Sequence, residues 1–362
     1  MHPLAGATVM EYGCGYGAVS VALAPLAGRY IAYDIDEGAV AIARERLDRA
    51  GGSQDVELQA VPDAQILDAV AEHEGEVDIL LLYAVLEHMT IRERLDLLEL
   101  AFRLVKRDGL VAVVESPNRL APVDWHTSFL PFQCQLPEPL AIAYAERSSR
   151  EDFREAIASA SAVGYDAAQE ELTRWGRGIS YHEFELVLGD VGPHVIAGGY
   201  DPQLWDERPL HTEEQVLYRQ LHRARPELPP VFWRFWLDLA LSPEPLARPT
   251  PDLIWPWILQ TRGSPGAYWT SWETVELNPG VVLSIELPVA SRRIVATASF
   301  GEPGGEVTVS AGGRTMRQPS AAEPGYQTQV DFELPEAETR IELGLDPSGW
   351  VHFVGYAAPG SR

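Results

Sequence analysis

The chain has 362 residues, 46% hydrophobic and 22% charged, with a formal net charge of -25. Two or three domains and a substantial core follow from that length and balance. A transmembrane helix is argued against, since no run of about 18 apolar residues occurs. Nucleic acid and anionic membranes are disfavoured as partners: the field repels them, Lys106 is the only lysine and the arginines are scattered.

Met1 to Ala7 shows no basic patch followed by an apolar stretch, so no signal peptide is expected. The two cysteines, Cys14 and Cys134, are too few for a structural zinc site, and a disulfide between them is not expected. A reducing, cytoplasmic setting is the default.

The first third alternates strand and helix signals. Thr8 to Tyr12 is a strand candidate, followed by glycines and a helix over Ala18 to Leu26. Tyr30 to Tyr33 is a second strand, ending at Asp34, and Glu37 to Ala50 a helix. Val56 to Ala60 and Val77 to Tyr83 are further strands, the last apolar enough for the middle of a sheet. Ile91, Leu95, Leu98, Phe102 and Val105 repeat at helical spacing, with Asp108-Gly109 as the stop. Leu110 to Glu115 is the fifth strand. This alternation predicts an α/β, Rossmann-like parallel sheet covered on both faces.

The middle of the chain is less regular. Residues 120 to 140 are proline-rich, and Glu151 to Val163 reads as a helix. Tyr181 to Leu188 reads as a strand and Val231 to Leu241 as a Trp-containing helix, with Pro243 to Pro251 as a connector. From about 263 short alternating runs take over: Thr274 to Leu277, Val281 to Leu287, Arg293 to Phe300, Glu306 to Ala311, Gln327 to Leu334, Thr339 to Leu345 and Trp350 to Tyr356. Turn residues between them argue for a β-sandwich-like domain. The expected organisation is 1–262, with a cofactor half over 1–116 and an acceptor region over 117–262, followed by an accessory domain over 263–362.

The chemistry-bearing stretch is Glu11-Tyr12-Gly13-Cys14-Gly15-Tyr16-Gly17, between a strand and a helix. Glycines there permit a tight turn and close approach of a ligand to the backbone, and the helix behind offers unpaired amides. Alone, the pattern fits a nicotinamide, a flavin, S-adenosylmethionine or a bare turn. Three residues sharpen it. Glu11 would repel a pyrophosphate but not an ammonium-bearing ligand. Asp34 ends the second strand, where a carboxylate can take both ribose hydroxyls. Asp63-Ala64 follows the third, where a carboxylate can meet an adenine amino group.

With those residues in view, 8–116 resembles a class I S-adenosylmethionine-dependent methyltransferase of the large type 11/12 group. Val85-Leu86-Glu87-His88 resembles its VLEH signature, and Lys106 to Leu110 its KPGG turn, with two departures. The resemblance implies S-adenosyl-L-methionine as cofactor. Glu11 and Gly13, with Cys14 and Gly15 in the same loop, would meet its methionine part. Asp34 would meet the ribose, Ile35 the adenine face, Asp63 and Ala64 the adenine edge, and Tyr83 would line the methyl-transfer site. Glu115-Ser116-Pro117-Asn118-Arg119-Leu120, Pro122, Asp124, His126-Thr127 and Leu130-Pro131-Phe132 resemble a narrower bacterial set, as does Ser180 to Phe184. Many members of that set occur near polysaccharide genes. Class I enzymes usually carry cofactor-covering helices before the first strand. Here that strand starts at about residue 8, so no such cover is expected from the residues given.

An alcohol acceptor needs a base near its hydroxyl. The candidates are His126 beside Asp124, His182 beside Glu183, and His88 of the signature, each balanced against a structural histidine. Clustered His, Asp and Glu permit a metal, but the spacing singles out no site and none is expected. Cys14 reads as a small turn residue and His73 as a surface residue. Phe232 to Trp236, and Tyr268, Trp269 and Trp272, suit either core packing or sugar stacking.

The function expected is a transferase: O-methylation of a sugar or another small hydroxylated molecule, by in-line displacement in which alignment dominates. The sugar part rests on analogy. The alternatives are a binding or scaffold protein on an inactive methyltransferase fold, and a nicotinamide-dependent oxidoreductase. The expected partner is a small-molecule acceptor, with no nucleic acid and no membrane insertion; the oligomeric state is left open.

Overall fold

The computed structural model describes residues 4–51, 55–198, 227–245, 252–254, 260–269 and 274–356, with shorter pieces between 217 and 225. Two compact units result: Met1–Ile196 with Arg234–Pro245, and Ala197–Trp233 with Leu246–Arg362. Trp272, the side chain of Trp269 and residues 246–251 of the expected connector lie outside the described residues.

The first sheet is built on β1 (Thr8–Tyr12), β2 (Arg29–Asp34), β3 (Val56–Ala60), β4 (Val77–Tyr83), β5 (Val105–Pro117), β6 (Val195–Gly198) and β7 (Trp236–Leu241). Their order is β3-β2-β1-β4-β5-β7-β6. β1 to β5 pair in parallel, and β7 runs antiparallel to β5. The chain moves outward from β1 to β3 and then returns to the other side of β1, which opens a crevice at the carboxyl ends of β1 and β4.

The helices are α1 (Ala18–Leu23), α2 (Glu37–Arg49), α3 (Asp63–Ala71), α4 (Ile91–Leu104), α5 (Glu138–Tyr144), α6 (Glu151–Val163), α7 (Tyr165–Trp175) and α8 (Tyr181–Leu188). Local chemistry sets their starts. The Asp36 side chain accepts from the Gly38 and Ala39 amides ahead of α2, and Thr90 with Glu93 forms a capping box at α4. α4 buries Leu97, Leu98, Ala101 and Leu104 on one face.

Three expectations are corrected. The fourth helix stops at Leu104 rather than at Asp108-Gly109. Val105 pairs with Val77, and Lys106 Nζ reaches Asp78 Oδ1 at 2.7 Å, which draws residues 105–109 along β4 as strand. Tyr181–Leu188 is helix, not strand, because Ser180 and Glu183 form a capping box and Tyr181 and Phe184 share the buried face. The Trp-containing segment is a short 3₁₀ turn, Pro230–Trp233, followed by β7. There Leu237, Leu239 and Leu241 are buried in alternation, the period of a strand.

The second unit holds β8 (Asp252–Ile254), β9 (Gln260–Gly263), β10 (Ala267–Trp269), β11 (Val275–Leu277), β12 (Val282–Phe300), β13 (Glu306–Ala311), β14 (Arg314–Pro319), β15 (Gln327–Asp346) and β16 (Gly349–Tyr356). All its pairings are antiparallel. Pairs of expected short runs merge into two long strands. β12 carries register shifts between Glu286 and Arg293: its first half pairs with β9, its second with β16. Long strands that change neighbours at a bulge make a sandwich-like region from one sheet. Leu283, Ile285, Ile294, Ala296, Val309, Ile341, Leu343 and Val351 are among its buried residues.

Candidate active site

β1 to β4 deliver the candidate residues to one edge, at or just past the end of each strand. Gly13, Cys14 and Gly15 follow β1, Ile35 follows Asp34 at the end of β2, Asp63 and Ala64 open α3 after β3, and the half-buried Tyr83 ends β4. Gly13 has φ +80°, and a Cβ there would lie 2.5 Å from Val85 Cγ2. Gly15 has φ +49° and faces open space, leaving a cradle that a side chain would fill.

The Gly15 amide donates to Asp34 Oδ2 at 2.7 Å, and the Asp36 amide to Asp34 Oδ1 at 2.9 Å. Each carboxylate oxygen keeps a lone pair for a further donor such as a ribose hydroxyl. Ile35 is 49% exposed beside it, an apolar surface at the same edge. Glu11, only 2% exposed, takes Ser20 Oγ at 2.5 Å and Tyr30 OH at 2.6 Å on Oε2. Burial pushes its carboxyl up, against the two hydrogen bonds. Burial likewise raises the thiol of Cys14 to about 12, so it is no nucleophile.

Next to this edge lies a cavity of about 390 Å³ lined by His88, His126, Arg150, Glu171, Arg174 and Trp175. The rings of His88 and His126 are 5.4 Å apart, and Trp236 stands edge-on to His126 at 6.0 Å. Arg174 links edge and cavity: it pairs with Asp63 at 3.4 Å and Glu93 at 3.2 Å, and donates to the His88 carbonyl at 3.0 Å. Arg150 lies over Trp175, 4.7 Å from the ring centroid.

Behind the histidines sits Glu87, fully buried. Ser116 Oγ donates to its Oε2 at 3.3 Å, and its Oε1 is 3.7 Å from His126 Nε2. That separation is beyond hydrogen bonding. Burial pushes the Glu87 carboxyl up to about 7 and, with the neighbouring His88, His126 down to about 4. It lowers His88 too. Desolvation thus outweighs attraction between the groups. Arg94, 1% exposed, fastens the Glu87 turn from behind. It donates to the carbonyls of Glu87, Met89, Arg177 and Gly178 at 3.1, 3.0, 2.5 and 3.0 Å.

The structure therefore brings His88 and His126 together and leaves His182 apart. His182 is exposed on α8, stacked on Tyr181 with Nδ1 2.9 Å from Ser180 Oγ, and does not line the cavity. Asp124 does not orient the His126 ring; it caps the Thr127 and Ser128 amides at 3.0 and 2.9 Å. Glu87, Arg94, Arg150 and Arg174 escaped the sequence reading as site residues. For Glu87 the signal was present, since it adjoins His88 in the VLEH stretch. Phe232, Trp233 and Phe235 are buried, and Trp236 reaches His126. His73 is not a free surface residue: its Nε2 meets Tyr33 OH at 2.9 Å.

Residues 9–109 match the family described as a methyltransferase domain. The chain is 34% identical over 109 residues to the ubiquinone biosynthesis O-methyltransferase of Thiobacillus denitrificans, covering 30% of this chain and 44% of the relative. It is 32% identical over 119 residues to a probable S-adenosylmethionine-dependent methyltransferase of Mycolicibacterium smegmatis, covering 33% and 41%. It is 33% identical over 108 residues to the ribosomal protein L11 methyltransferase of Streptococcus agalactiae, covering 29% and 30%. The chain thus spans less than half the length of these relatives. Among solved structures, the magnesium protoporphyrin IX methyltransferase of Synechocystis with bound S-adenosylmethionine is 22% identical with a TM-score of 0.27, covering 32% of this chain and 52% of that one.

The first unit therefore contains a class I S-adenosylmethionine-dependent methyltransferase domain, with S-adenosylmethionine as its cofactor, and the chain adds an antiparallel, strand-rich region after it. No helix among the described residues is long and apolar enough to cross a membrane.

Proposed function

We propose that the chain methylates a hydroxyl oxygen of a small hydroxylated molecule, a sugar being the leading class, with the acceptor held in the His88–His126 cavity. The observation that carries this reading is Arg174, which joins Asp63 on the cofactor edge to the cavity through the His88 carbonyl. A volume of about 390 Å³ and a polar lining suit a small polar acceptor, and Trp175 offers a ring face. The Thiobacillus relative, named as an O-methyltransferase, supports oxygen as the target.

When bound, S-adenosylmethionine supplies an electrophilic methyl group. The chain's own residues bind and align. Gly13, Cys14 and Gly15 leave room along the backbone, Asp34 takes the ribose hydroxyls, and Ile35 with Asp63 and Ala64 borders the adenine. In the cavity, the acceptor hydroxyl gives its proton to the Glu87–His126 pair, of which Glu87 is the stronger base. Residues 263–362 form an accessory part, and two free buried thiols suit the cytoplasm.

The test is transfer of a labelled methyl group from S-adenosylmethionine to a panel of monosaccharides, phenols, amines and an L11-type protein. Label on a hydroxylated small molecule, lost in His126→Ala and Arg174→Ala, is the expected result. Label on protein or amine alone would overturn the acceptor class.

A further inference from the structure

Three ligand-type atoms converge beside the cavity. Glu87, His88 and His126 each bring one ligand atom within 4.8 Å of the other two. Glu87 Oε1 is 3.7 Å from His126 Nε2 and 3.9 Å from His88 Nε2. Glu87 is 0% exposed, and this oxygen has no hydrogen-bond partner among the described residues. A buried carboxylate oxygen left unpaired is costly and asks for an occupant.

The tautomers sharpen the point. His88 Nδ1 lies 2.7 Å from the Arg174 carbonyl, which can only accept. Its proton therefore sits on Nδ1 and its lone pair on Nε2. His126 Nδ1 lies 2.9 Å from Thr127 Oγ1, whose single proton is directed at the carbonyls of Trp175 and Gly176, 3.0 and 2.9 Å away. Thr127 Oγ1 must accept from the ring, so His126 also carries its lone pair on Nε2. Neither ring therefore places a proton on the shared side, where two imidazole lone pairs face the Glu87 carboxyl oxygen.

We infer that Glu87, His88 and His126 bind one divalent first-row transition cation such as Zn²⁺, Fe²⁺ or Mn²⁺. Two imidazoles and one carboxylate form a ligand set that such ions take with positions left open, whereas Mg²⁺ and Ca²⁺ prefer oxygen alone. With bonds of about 2.1 Å, neighbouring ligands of a tetrahedral ion stand about 3.4 Å apart. The two gaps from Glu87 Oε1, 3.7 and 3.9 Å, close to that value by shifts of about half an ångström or less. Each imidazole has a fixed partner on its far nitrogen, the support that metal-bound histidines need. The two arginines of the cavity do not oppose the ion with free charge, since Arg174 pairs with Glu170 and Glu93, and Arg150 with Asp152. The open positions suit the acceptor's hydroxyl oxygen, and an ion there would take the place of the Glu87–His126 pair as the means of activating that hydroxyl; this last step alone rests on the methyl-transfer reading.

The experiment uses the full chain, stripped with a chelator and titrated with Co²⁺ and Zn²⁺ by calorimetry, with Co²⁺ followed by visible absorption. One ion per chain is expected, weakened about a hundredfold in Glu87→Gln and His126→Gln, both close to isosteric. Circular dichroism checks that each variant folds, and His88→Gln serves if one does not. S-adenosylmethionine is titrated on the same samples. Ion binding without cofactor binding supports the site and sinks the methyl-transfer reading. Cofactor binding with no ion bound, or ion binding unchanged in the variants, overturns the site.

Discussion

The cofactor edge and the histidine cavity adjoin within one unit and are built on opposite plans. The edge is made of strand ends: a glycine turn, the carboxylates of Asp34 and Asp63, and an exposed Ile35, each placed by the strand before it. The cavity is made of side chains from separated segments, each held by a backbone carbonyl or a hydroxyl. His88 leans on the Arg174 carbonyl, His126 on Thr127, and Glu87 on Ser116. The difference teaches where each is vulnerable. On the proposed reading, a substitution at the edge removes a contact to the ligand. A substitution behind the cavity disturbs the fold and the chemistry together.

The sharpest way to break this comparison is Arg94→Leu. It removes a buried guanidinium that fastens the turn carrying Glu87 to Met89 and leaves carbonyls unpaired, so a loss of about 3–5 kcal/mol is expected in urea unfolding. A change below about 1 kcal/mol would show that the turn does not depend on it.

Glu87→Gln comes next, with the opposite sign. Burial raises the Glu87 carboxyl from 4.5 to about 7. A raised folded value stabilises while the group is protonated; that contribution is complete below the unfolded value and is lost as pH rises through about 7. In the presence of chelator the variant should therefore gain about 3 kcal/mol over the parent at pH 8, and nothing at pH 4. His126, depressed to about 4, behaves in reverse: its contribution is present above 6.5 and is lost as pH falls through about 4. Melting temperatures across that range check both signs.

Thr127→Val should cost less, about 1–2 kcal/mol, by leaving the Trp175 and Gly176 carbonyls short of a donor and releasing the His126 ring. Its informative readout is the imidazole NMR titration, which should lose the preference for Nδ1–H. The smallest effect belongs to the second unit. Arg293→Ala breaks a half-exposed pair with Asp331 and should change stability by about 1 kcal/mol or less, without touching cofactor binding.

The same contrast governs what could be read in advance. The layout of the candidate cofactor edge was legible because strand, turn and candidate residue are consecutive: Asp34 is the last residue of β2, and Asp63 stands just past β3. The cavity was half legible. Glu87 and His88 adjoin, and His126 stood out beside Asp124. Arg150 stands just before α6 and Arg174 lies on α7, and no spacing reveals their approach to the histidines. His182 drew attention by its neighbours, yet its helix turns it to solvent. Tyr, Phe, Val and Leu made 181–188 look like strand, while Ser180 and Glu183, three residues apart, held the helix signal. In the second unit, bulges joined runs that looked separate.

The central claim is that the β1–β2 edge binds S-adenosylmethionine, and calorimetric titration of the full chain beside Asp34→Ala tests it most directly, with NAD as control. One molecule of S-adenosylmethionine per chain is predicted, weakened about a hundredfold in the variant as the ribose contacts and the Gly15 anchor are lost, with no heat from NAD. Binding that is unchanged in Asp34→Ala, or NAD bound in place of S-adenosylmethionine, would contradict it.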